Sequence, residues 1–472
     1  MIDLPFWPVL RVFNWAVLGY FALLNLTYLL TTLAAFSVIR RYTERLKSIH
    51  AQDLLNSKGS PPITIVGAAY NEAATVVQAV RSLLNLEYPT YRIYIVNDGS
   101  RDATLQLLID EYDMERVAFY PMGSIPTRAV RGVYRSRTHR DLYVFDKENG
   151  GAADARNVGF NYARTPLVCV IDADSLLERD ALLRIARPFL EDRDTVAAGG
   201  IIRVANGCVV HSGFVREINL PRNLLARFQV LEYLRAFLSS RVGWDALEAN
   251  FIVSGAFGVF RRDVLIDANG YDTTTIGEDM ELTLRIQRLQ YERKQRHRIE
   301  FIPDPVCWTE VPETISQLGR QRDRWHRGLL QVFSRHSDMV GRPEYGRLGM
   351  IAMPYLYFLE LYGPIIEAVG YFAFALTLFF GEPSPAYIAA FFALAFAFGT
   401  ALSVAAVALE ELIFRRYDRF SDLIHLIGLS LIEAFGYRQL NTWWRIRGTI
   451  AFFRGVSAWG DMRRKGFTVA KQ

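Results

Sequence analysis

The chain has 472 residues, of which 51% are hydrophobic and 22% are charged. This composition excludes an intrinsically disordered protein, and it is too apolar for an ordinary soluble enzyme. Lys and Arg total 54 against 49 Asp and Glu, an excess spread along the chain that requires no nucleic-acid binding. The three cysteines are far apart, which indicates neither a disulfide framework nor a zinc site and fits a reducing compartment.

The first apolar run covers residues 6–39 and contains a single charged residue, Arg11. Because it exceeds the roughly 20 residues that a helix needs to cross a bilayer, we expect a membrane anchor. Its length and the basic residues that follow it do not fit a cleaved signal peptide. The basic cluster at 40–47 predicts that the chain continues in the cytoplasm.

Residues 61–346 alternate runs rich in β-branched residues, such as ITIVGAAY and PLVCVIDAD, with segments of helical periodicity. This alternation predicts an α/β fold with a mainly parallel sheet and helices on both faces. In such folds ligands bind beyond the carboxyl ends of the strands. The polar motifs of this region occur at those ends.

Apolar sequence returns over residues 350–380 and 386–409. Two prolines and two glutamates in the first run predict an interface helix up to about Glu360 and a spanning helix after it. For the weaker apolar segment 423–435 and the Trp- and Arg-rich stretch after it, we favour a hairpin or interfacial helices with a cytoplasmic tail. The expected units are 1–45, a transmembrane helix and basic flank; 46–346, a cytoplasmic α/β domain; 347–440, interface and transmembrane helices; and 441–472, an amphipathic, basic tail.

Two predicted strands end in polar turns, Ala69-Tyr70-Asn71-Glu72 and Asn97-Asp98-Gly99-Ser100. Such ends can hold a base and a ribose, with Asp98 accepting hydrogen bonds from a nucleotide. Asn, Asp and Gly also form turns and cap helices, which is the more frequent explanation of either motif taken alone.

Asp172-Ala173-Asp174 follows the apolar run 167–171 directly. In an extended segment residues two apart point to the same side, so both carboxylates can face a divalent cation that bridges phosphate oxygens. An ordinary acidic loop explains Asp-x-Asp equally often, but the position after an apolar strand favours the metal site.

Two motifs lie closer to the second membrane region. Gly277-Glu278-Asp279 opens a helical pattern, where acidic residues either stabilise the helix N-terminus or supply a general base, and the spacing does not decide between them. Gln321-Arg322-Asp323-Arg324-Trp325 precedes the membrane, where Arg and Trp are common interfacial anchors. Arg also binds pyrophosphate bidentately and Trp packs on a sugar ring, so one pocket can use both.

These motifs in this order, with Lys147-Glu148-Asn149-Gly150-Gly151 among them, resemble those of membrane-embedded processive family 2 glycosyltransferases. This group includes cellulose, hyaluronan, chitin-oligosaccharide and poly-N-acetylglucosamine synthases. The resemblance covers about residues 60–330 by motif and the remainder by membrane layout. It implies a cytoplasmic GT-A domain flanked by transmembrane helices, in a multi-pass protein of the inner (plasma) membrane.

The resemblance also implies an inverting enzyme that uses a UDP-sugar and Mg²⁺ or Mn²⁺ to extend a β-linked glycan, with the membrane helices as its exit path. The implied partners are the UDP-sugar donor, the growing glycan acceptor and the lipid bilayer, with no nucleic acid; an accessory periplasmic or membrane protein stays open. By the same resemblance the residues are, for the nucleotide, Ala69, Tyr70, Glu72, Asp98, Asp154 and Asp172; for the metal, Asp174; as the base, Asp279; and for pyrophosphate and acceptor, Gln321, Arg324 and Trp325.

The sequence departs from the family pattern at two positions. Ala152 stands where Lys is frequent, so a basic contact to the donor is either missing or moved to Arg156. Asn97 replaces a frequent Asp, which keeps hydrogen bonding and removes a charge.

Two other functions are considered beside polymer synthesis. A transferase that adds one sugar to a membrane lipid is disfavoured by Gln321-x-x-Arg324-Trp325, the feature that marks polymerising members. A transport or scaffold protein with a regulatory nucleotide domain is disfavoured by the intact aspartates Asp172, Asp174 and Asp279.

Overall fold

A ten-stranded sheet forms the centre of the domain between the two membrane regions, in a computed structural model that describes residues 7–46, 59–211, 213–417, 419–456 and 468–469. Its spatial order is β3-β4-β5-β2-β1-β6-β11-β8-β12-β7. The strands are β1 Ile63–Ala69, β2 Tyr91–Asn97, β3 Met114–Arg116, β4 Val130–Ser136, β5 Leu142–Lys147, β6 Leu167–Asp172, β7 Leu176–Leu177, β8 Thr195–Val204, β9 Val209–His211, β10 Phe214–Glu217, β11 Phe257–Arg261, β12 Arg298–Thr309 and β13 Thr468–Val469. Strands β10, β9 and β13 form a separate small sheet.

The centre of the sheet is parallel; on its two sides the pairs β3–β4, β4–β5, β6–β11 and β11–β8 are antiparallel, whereas β8 and β12 are parallel. β1 pairs in parallel with β2 and β6, and β2 with β5, whereas β11 runs antiparallel between β6 and β8. The sheet is therefore mixed rather than mainly parallel, because β3–β4 and β11 add strands that reverse direction. The register places Ala69 beside Asn97 and Ala68 beside Asp172, so the three motif-bearing strand ends meet at one edge.

Helices cover both faces of this sheet, which confirms the predicted α/β fold. The helices of the domain are α2 Val76–Leu84, α3 Thr104–Glu111, α4 Ala152–Tyr162, α5 Ala181–Glu191, α6 Leu224–Tyr233, α7 Val242–Ala246, α8 Arg262–Asp267, α9 Glu278–Glu292 and α10 Ile315–His336. Successive strand residues face opposite sides, so Ile65 packs with α2 while Val66 packs with α4. At Gly159 of α4 a Cβ atom would lie 2.3 Å from a Val66 methyl carbon, so only glycine permits this helix to approach β1.

Three helices of the described residues are long and apolar enough to cross a membrane, within Trp7–Glu44, Gly363–Phe380 and Pro385–Ile413. A fourth span is formed if the bent pair Phe420–Glu433 and Tyr437–Phe453, at 57°, counts as one. The corresponding elements are α1 Trp7–Leu46, α11 Gly363–Phe380, α12 Pro385–Phe392, α13 Phe398–Ile413, α14 Phe420–Glu433 and α15 Tyr437–Phe453. A shorter apolar helix, Leu348–Leu361, precedes α11.

Ion pairs attach the α/β domain to these helices. Arg203 of β8 donates two hydrogen bonds, of 2.9 and 2.6 Å, to the carboxylate of Glu410 on α13, and both side chains are buried. Arg416, just after α13, binds Glu178 in the same bidentate manner. Removing either partner of such a pair would leave an uncompensated charge, so these contacts fix the domain against the membrane helices.

Candidate active site

Asp98 joins the end of β2 to the turn that follows β5. Its carboxylate accepts hydrogen bonds from Lys147 Nζ at 2.5 Å and from the backbone amides of Gly150 and Gly151 at 2.9 and 2.7 Å. Burial raises the pKa of Asp98, and the Lys147 ammonium and the two amides oppose that effect. The carboxylate of Asp98 is thus bound by groups of the protein itself, and its contact with uridine remains a prediction.

Lys147, the partner of Asp98, is a residue to which the sequence analysis gave no role. It is fully buried and pairs with Asp98 and, at 2.7 Å, with Asp154 in the first turn of α4. Asp154 also accepts from the backbone amide of Arg128 at 3.1 Å. The sequence signal for Lys147 was its position at the end of an apolar strand, inside the motif Lys147–Gly151.

The turns after β1 and β2 are hydrogen-bonded to each other. Asn71, with a left-handed φ of 56°, donates its backbone amide to Ser100 Oγ at 3.0 Å and accepts from the Arg101 amide at 2.9 Å. Glu72 accepts a hydrogen bond from the Thr75 hydroxyl at 2.9 Å. Tyr70, which directly precedes Asn71, is 43% exposed, so its ring is accessible to a base.

Arg156 of α4 connects the Asp172 motif to the Glu278 motif. Its guanidinium donates to Asp172 Oδ1 at 2.6 Å, to Glu278 Oε1 at 3.1 Å and to the Gly255 carbonyl at 3.2 Å. Arg156 is only 3% exposed, so it bridges two carboxylates instead of supplying the displaced basic contact to a donor. The basic group beside the Asn149–Gly151 turn is Lys147.

Glu278 and Asp279 begin α9 and have different environments. Burial raises the pKa of Glu278 to about 7, although Arg156 opposes this shift. Asp279 is partly exposed and accepts from the Gly255 amide at 3.2 Å and from the Met280 amide at 2.8 Å. Glu278 is therefore bound to the protein interior, whereas Asp279 can reach a substrate.

Helix α10 crosses the start of α9, which brings the Gln321–Trp325 motif to the same region as Asp279. The crossing is at Gly277 and Gly328, where a Cβ atom on Gly277 would lie 3.1 Å from the carbonyl carbon of Gly328. Gln331 of α10 accepts from the Ile276 amide at 2.7 Å. Two glycines thus permit the backbone contact that places the two motifs together.

Within that motif the side chains are sorted by exposure. Trp325 is 46% exposed, Arg324 is partly exposed, and Gln321 is buried. Arg322, which received no role from the sequence, lies 4.2 Å from the ring centroid of Trp325 and pairs with Glu232 of α6 at 2.7 Å. The cation fixes the indole from one side, so the exposed part of the ring can pack on a sugar.

The Asp172–Asp174 segment fits a hard divalent cation by its donor atoms. Asp174 is buried and Asp172 is partly exposed, at the sheet edge where β6 ends. Within the described part of the chain no three His, Cys, Asp or Glu side chains form a metal-binding group. One or two carboxylates together with substrate phosphates is an arrangement that Mg²⁺ commonly uses.

A cavity of about 370 Å³ lies among the membrane helices, and its wall carries many polar side chains. Its wall includes Glu232, the partner of Arg322. The Glu232 carboxylate also accepts a hydrogen bond from the Tyr437 hydroxyl at 2.8 Å. Three other wall glutamates, Glu360, Glu367 and Glu433, pair with Arg445, Arg438 and Arg235. The wall therefore carries many hydrogen-bonding groups with mutually compensated charges.

Comparison with known proteins identifies the family of this chain. A "Glycosyltransferase like family 2" model matches residues 61–328. Two curated relatives are poly-beta-1,6-N-acetyl-D-glucosamine synthases: one from Staphylococcus epidermidis is 28% identical over 58% of this chain and 56% of its own length, and one from Staphylococcus aureus is 26% identical over 63% and 62%. The chain thus spans little more than half the length of the curated relatives.

A solved mannosyltransferase from Pyrobaculum calidifontis, in complex with GDP-Man and Mn²⁺, is 18% identical, with a TM-score of 0.50 over 92% of this chain and 100% of its own. This similarity concerns the fold and confirms the GT-A architecture. The family match covers more than half of the 472 residues, including every strand that carries a motif. The chain therefore belongs to glycosyltransferase family 2 and is a glycosyltransferase.

Proposed function

We propose that this glycosyltransferase polymerises N-acetylglucosamine from UDP-N-acetylglucosamine into a β-linked polysaccharide and passes the product through the membrane. The names of the Staphylococcus relatives support the sugar unit and the product class. The basic flank of α1 supports a cytoplasmic catalytic domain in the plasma membrane. The finer assignment of each site residue, given above by resemblance, is part of the proposal.

The observation that carries this proposal is the connection between the acceptor motif and the polar cavity. Arg322, under the Trp325 ring, pairs with Glu232, and Glu232 belongs to the cavity wall. An uncharged, hydroxyl-rich chain needs such a wall, because hydrocarbon offers its polar groups no hydrogen bonds. A transferase for a single lipid-linked sugar needs no enclosed polar path of this kind.

The chemistry follows from where these groups lie. Asp279 takes the proton from an acceptor hydroxyl, and the oxygen of that hydroxyl bonds to the anomeric carbon of the donor sugar. The bond between the anomeric carbon and the diphosphate breaks, and the configuration of that carbon inverts. Gln321 and Arg324 bind the diphosphate, and Trp325 holds the acceptor sugar so that the two reactants stay aligned. Asp174, with Asp172 beside it, would hold Mg²⁺ or Mn²⁺, which supplies charge neutralisation to the leaving UDP.

Donor choice and product length provide the direct test. Purified protein in detergent should release UDP from UDP-N-acetylglucosamine in the presence of Mg²⁺ or Mn²⁺, lose that activity with EDTA, and form a long ladder of labelled glycan. UDP-glucose, UDP-galactose and UDP-glucuronic acid serve as controls. A long ladder from a different donor would change the sugar assigned in this proposal. A product with one sugar on a lipid would contradict polymerisation and support the alternative function.

Replacing Trp325 by Ala should shorten the product while leaving hydrolysis of the donor nearly unchanged. The ring is proposed to hold the acceptor sugar and not the nucleotide, and loss of one aromatic–sugar contact is expected to cost about 1 kcal/mol or more. Gel sizing of the labelled glycan measures this effect. Trp443→Ala is the matched control, since this ring is 57% exposed on α15 and does not line the cavity. An unchanged ladder from the Trp325 variant would contradict the acceptor role.

A further inference from the structure

Arg241 differs from the other arginines near the membrane cavity because it has no carboxylate partner among the residues that the structure describes. It is half-buried, and its guanidinium donates one hydrogen bond, from Nη1 to the carbonyl of Ile252 at 2.9 Å. The arginines around the cavity that each pair with a glutamate are Arg235, Arg322, Arg438 and Arg445. Most of the five N–H donors of Arg241 are therefore available to a ligand.

Arg241 lies close to both the proposed base and the wall of the cavity. On one side, Ile252 begins the short segment that ends at Gly255, whose amide donates to Asp279, and the charges of Arg241 and Asp279 attract each other. On the other side, Ser239 and Ser240 precede it in the π-helical segment Leu234–Arg241 and line the cavity. An acceptor chain that leaves Asp279 for the cavity would therefore pass this guanidinium.

The unused N–H donors of Arg241 favour a ligand at this position. Burial lowers the pKa of Arg241 to about 10, so the side chain stays charged at neutral pH. Arg241 lies 5.4 Å from the ring centroid of Phe237 and is attracted by Asp279, but no carboxylate of the described residues forms an ion pair with it, whereas two carboxylates bind Arg156. A ligand rich in oxygen atoms would satisfy the unused donors.

We propose that Arg241 binds the acceptor glycan, donating hydrogen bonds to hydroxyl or acetamido oxygens of the sugar unit next to the one at Asp279. This proposal rests on the polymerising function proposed above. The glycan is favoured over the donor diphosphate because Arg241 ends the segment whose Ser239 and Ser240 line the cavity, whereas the diphosphate is assigned to Arg324 and to the metal at Asp174.

The test uses the full-length protein with Arg241→Gln and Arg241→Lys, measured with UDP-N-acetylglucosamine and short β-linked N-acetylglucosamine oligosaccharides. Because a hydrogen bond from a charged group contributes about 1.5–3 kcal/mol, Arg241→Gln should raise the oligosaccharide concentration for half-maximal transfer by about 10- to 100-fold and shorten the polymer. The KM for the donor, inhibition by UDP and hydrolysis of the donor should not change. Lys, which keeps the charge, should recover part of the loss.

Arg227→Gln is the matched control, because Arg227 also donates to a backbone carbonyl, that of Pro221 at 2.5 Å, and lies on the preceding helix α6. It should leave acceptor use and product length as in the parent. Equal losses of donor hydrolysis and UDP affinity in Arg241→Gln would make Arg241 a nucleotide contact or a structural residue and overturn the proposal, as would an unchanged acceptor dependence. If Arg241→Gln does not fold, the same measurements on Arg241→Lys decide. Failure of polymerisation itself would be recognised separately, by a parent that makes no polymer from any donor.

Discussion

Asp279→Asn is expected to lower sugar transfer by about 10²- to 10⁴-fold while UDP binding stays close to that of the parent. The amide cannot take the proton of the acceptor hydroxyl, and its single oxygen can accept from only one of the Gly255 and Met280 amides, which bond to different carboxylate oxygens in the parent. One hydrogen bond at the start of α9 is therefore lost, while the residues proposed to bind the nucleotide are unchanged. UDP release under saturating donor and acceptor measures the first effect, and inhibition by added UDP measures the second.

The control for this variant is Asp267→Asn at the end of α8. Asp267 is exposed and pairs with Arg293 on the surface, so the same change of charge should leave transfer within about a factor of two of the parent. Near-normal turnover in Asp279→Asn would contradict the role of Asp279 as the base and make Glu278 the next candidate. A parallel loss of UDP affinity would instead indicate that the substitution disturbs the donor pocket.

The strands that carry motifs could be predicted from the sequence because their signals are local. β1, β2, β5 and β6 are buried on both faces and appear as continuous β-branched runs that end in polar residues. β3 and β4 lack this signal, since they lie at one edge of the sheet and are rich in Arg. β11 follows a loop and runs antiparallel between β6 and β8, a pairing between residues far apart in sequence that no local pattern encodes.

The site shows the same division between local and long-range information. Residues at strand ends, such as Asp98 and Asp172, could be named because parallel strands end at one edge. The partners of these residues, Lys147 and Arg156, could not be named from the sequence, because they contact residues that are distant along the chain. A charged residue in a helix or strand also usually indicates a solvated face. The contact of Gly277 with Gly328 likewise depends on two helices that are 22 residues apart in sequence at their nearest ends.

Arg156→Met is expected to lower the free energy of unfolding by about 3–5 kcal/mol at pH 8, with a corresponding loss of transfer. Methionine fills a similar volume but leaves Glu278 as a buried carboxylate without its counter-charge. Thermal unfolding in detergent measures the stability. Arg164→Met is the control, because Arg164 is exposed just after α4 and packs only over the ring of Phe119, 4.5 Å from its centroid.

The pH dependence of this loss identifies Glu278 as its source. In the parent, burial already holds the pKa of Glu278 near 7, above the value of about 4.3 in an unfolded chain, and removing Arg156 raises the folded pKa further. A raised folded pKa means that the native state binds the extra proton, so stability falls as pH rises from about 4.3 to the folded value. The loss of unfolding free energy in Arg156→Met, relative to the parent, should therefore be smaller at pH 6 than at pH 8.

A second substitution separates charge burial from packing. Glu278→Gln added to Arg156→Met removes the uncompensated carboxylate, so the double variant should recover much of the stability at pH 8 and show little change between pH 6 and pH 8. It should not recover transfer, because Asp172 still lacks the 2.6 Å hydrogen bond that holds it beside Asp174. A deficit of Arg156→Met that is equal at both pH values would mean that lost packing, rather than the buried Glu278 charge, determines its stability.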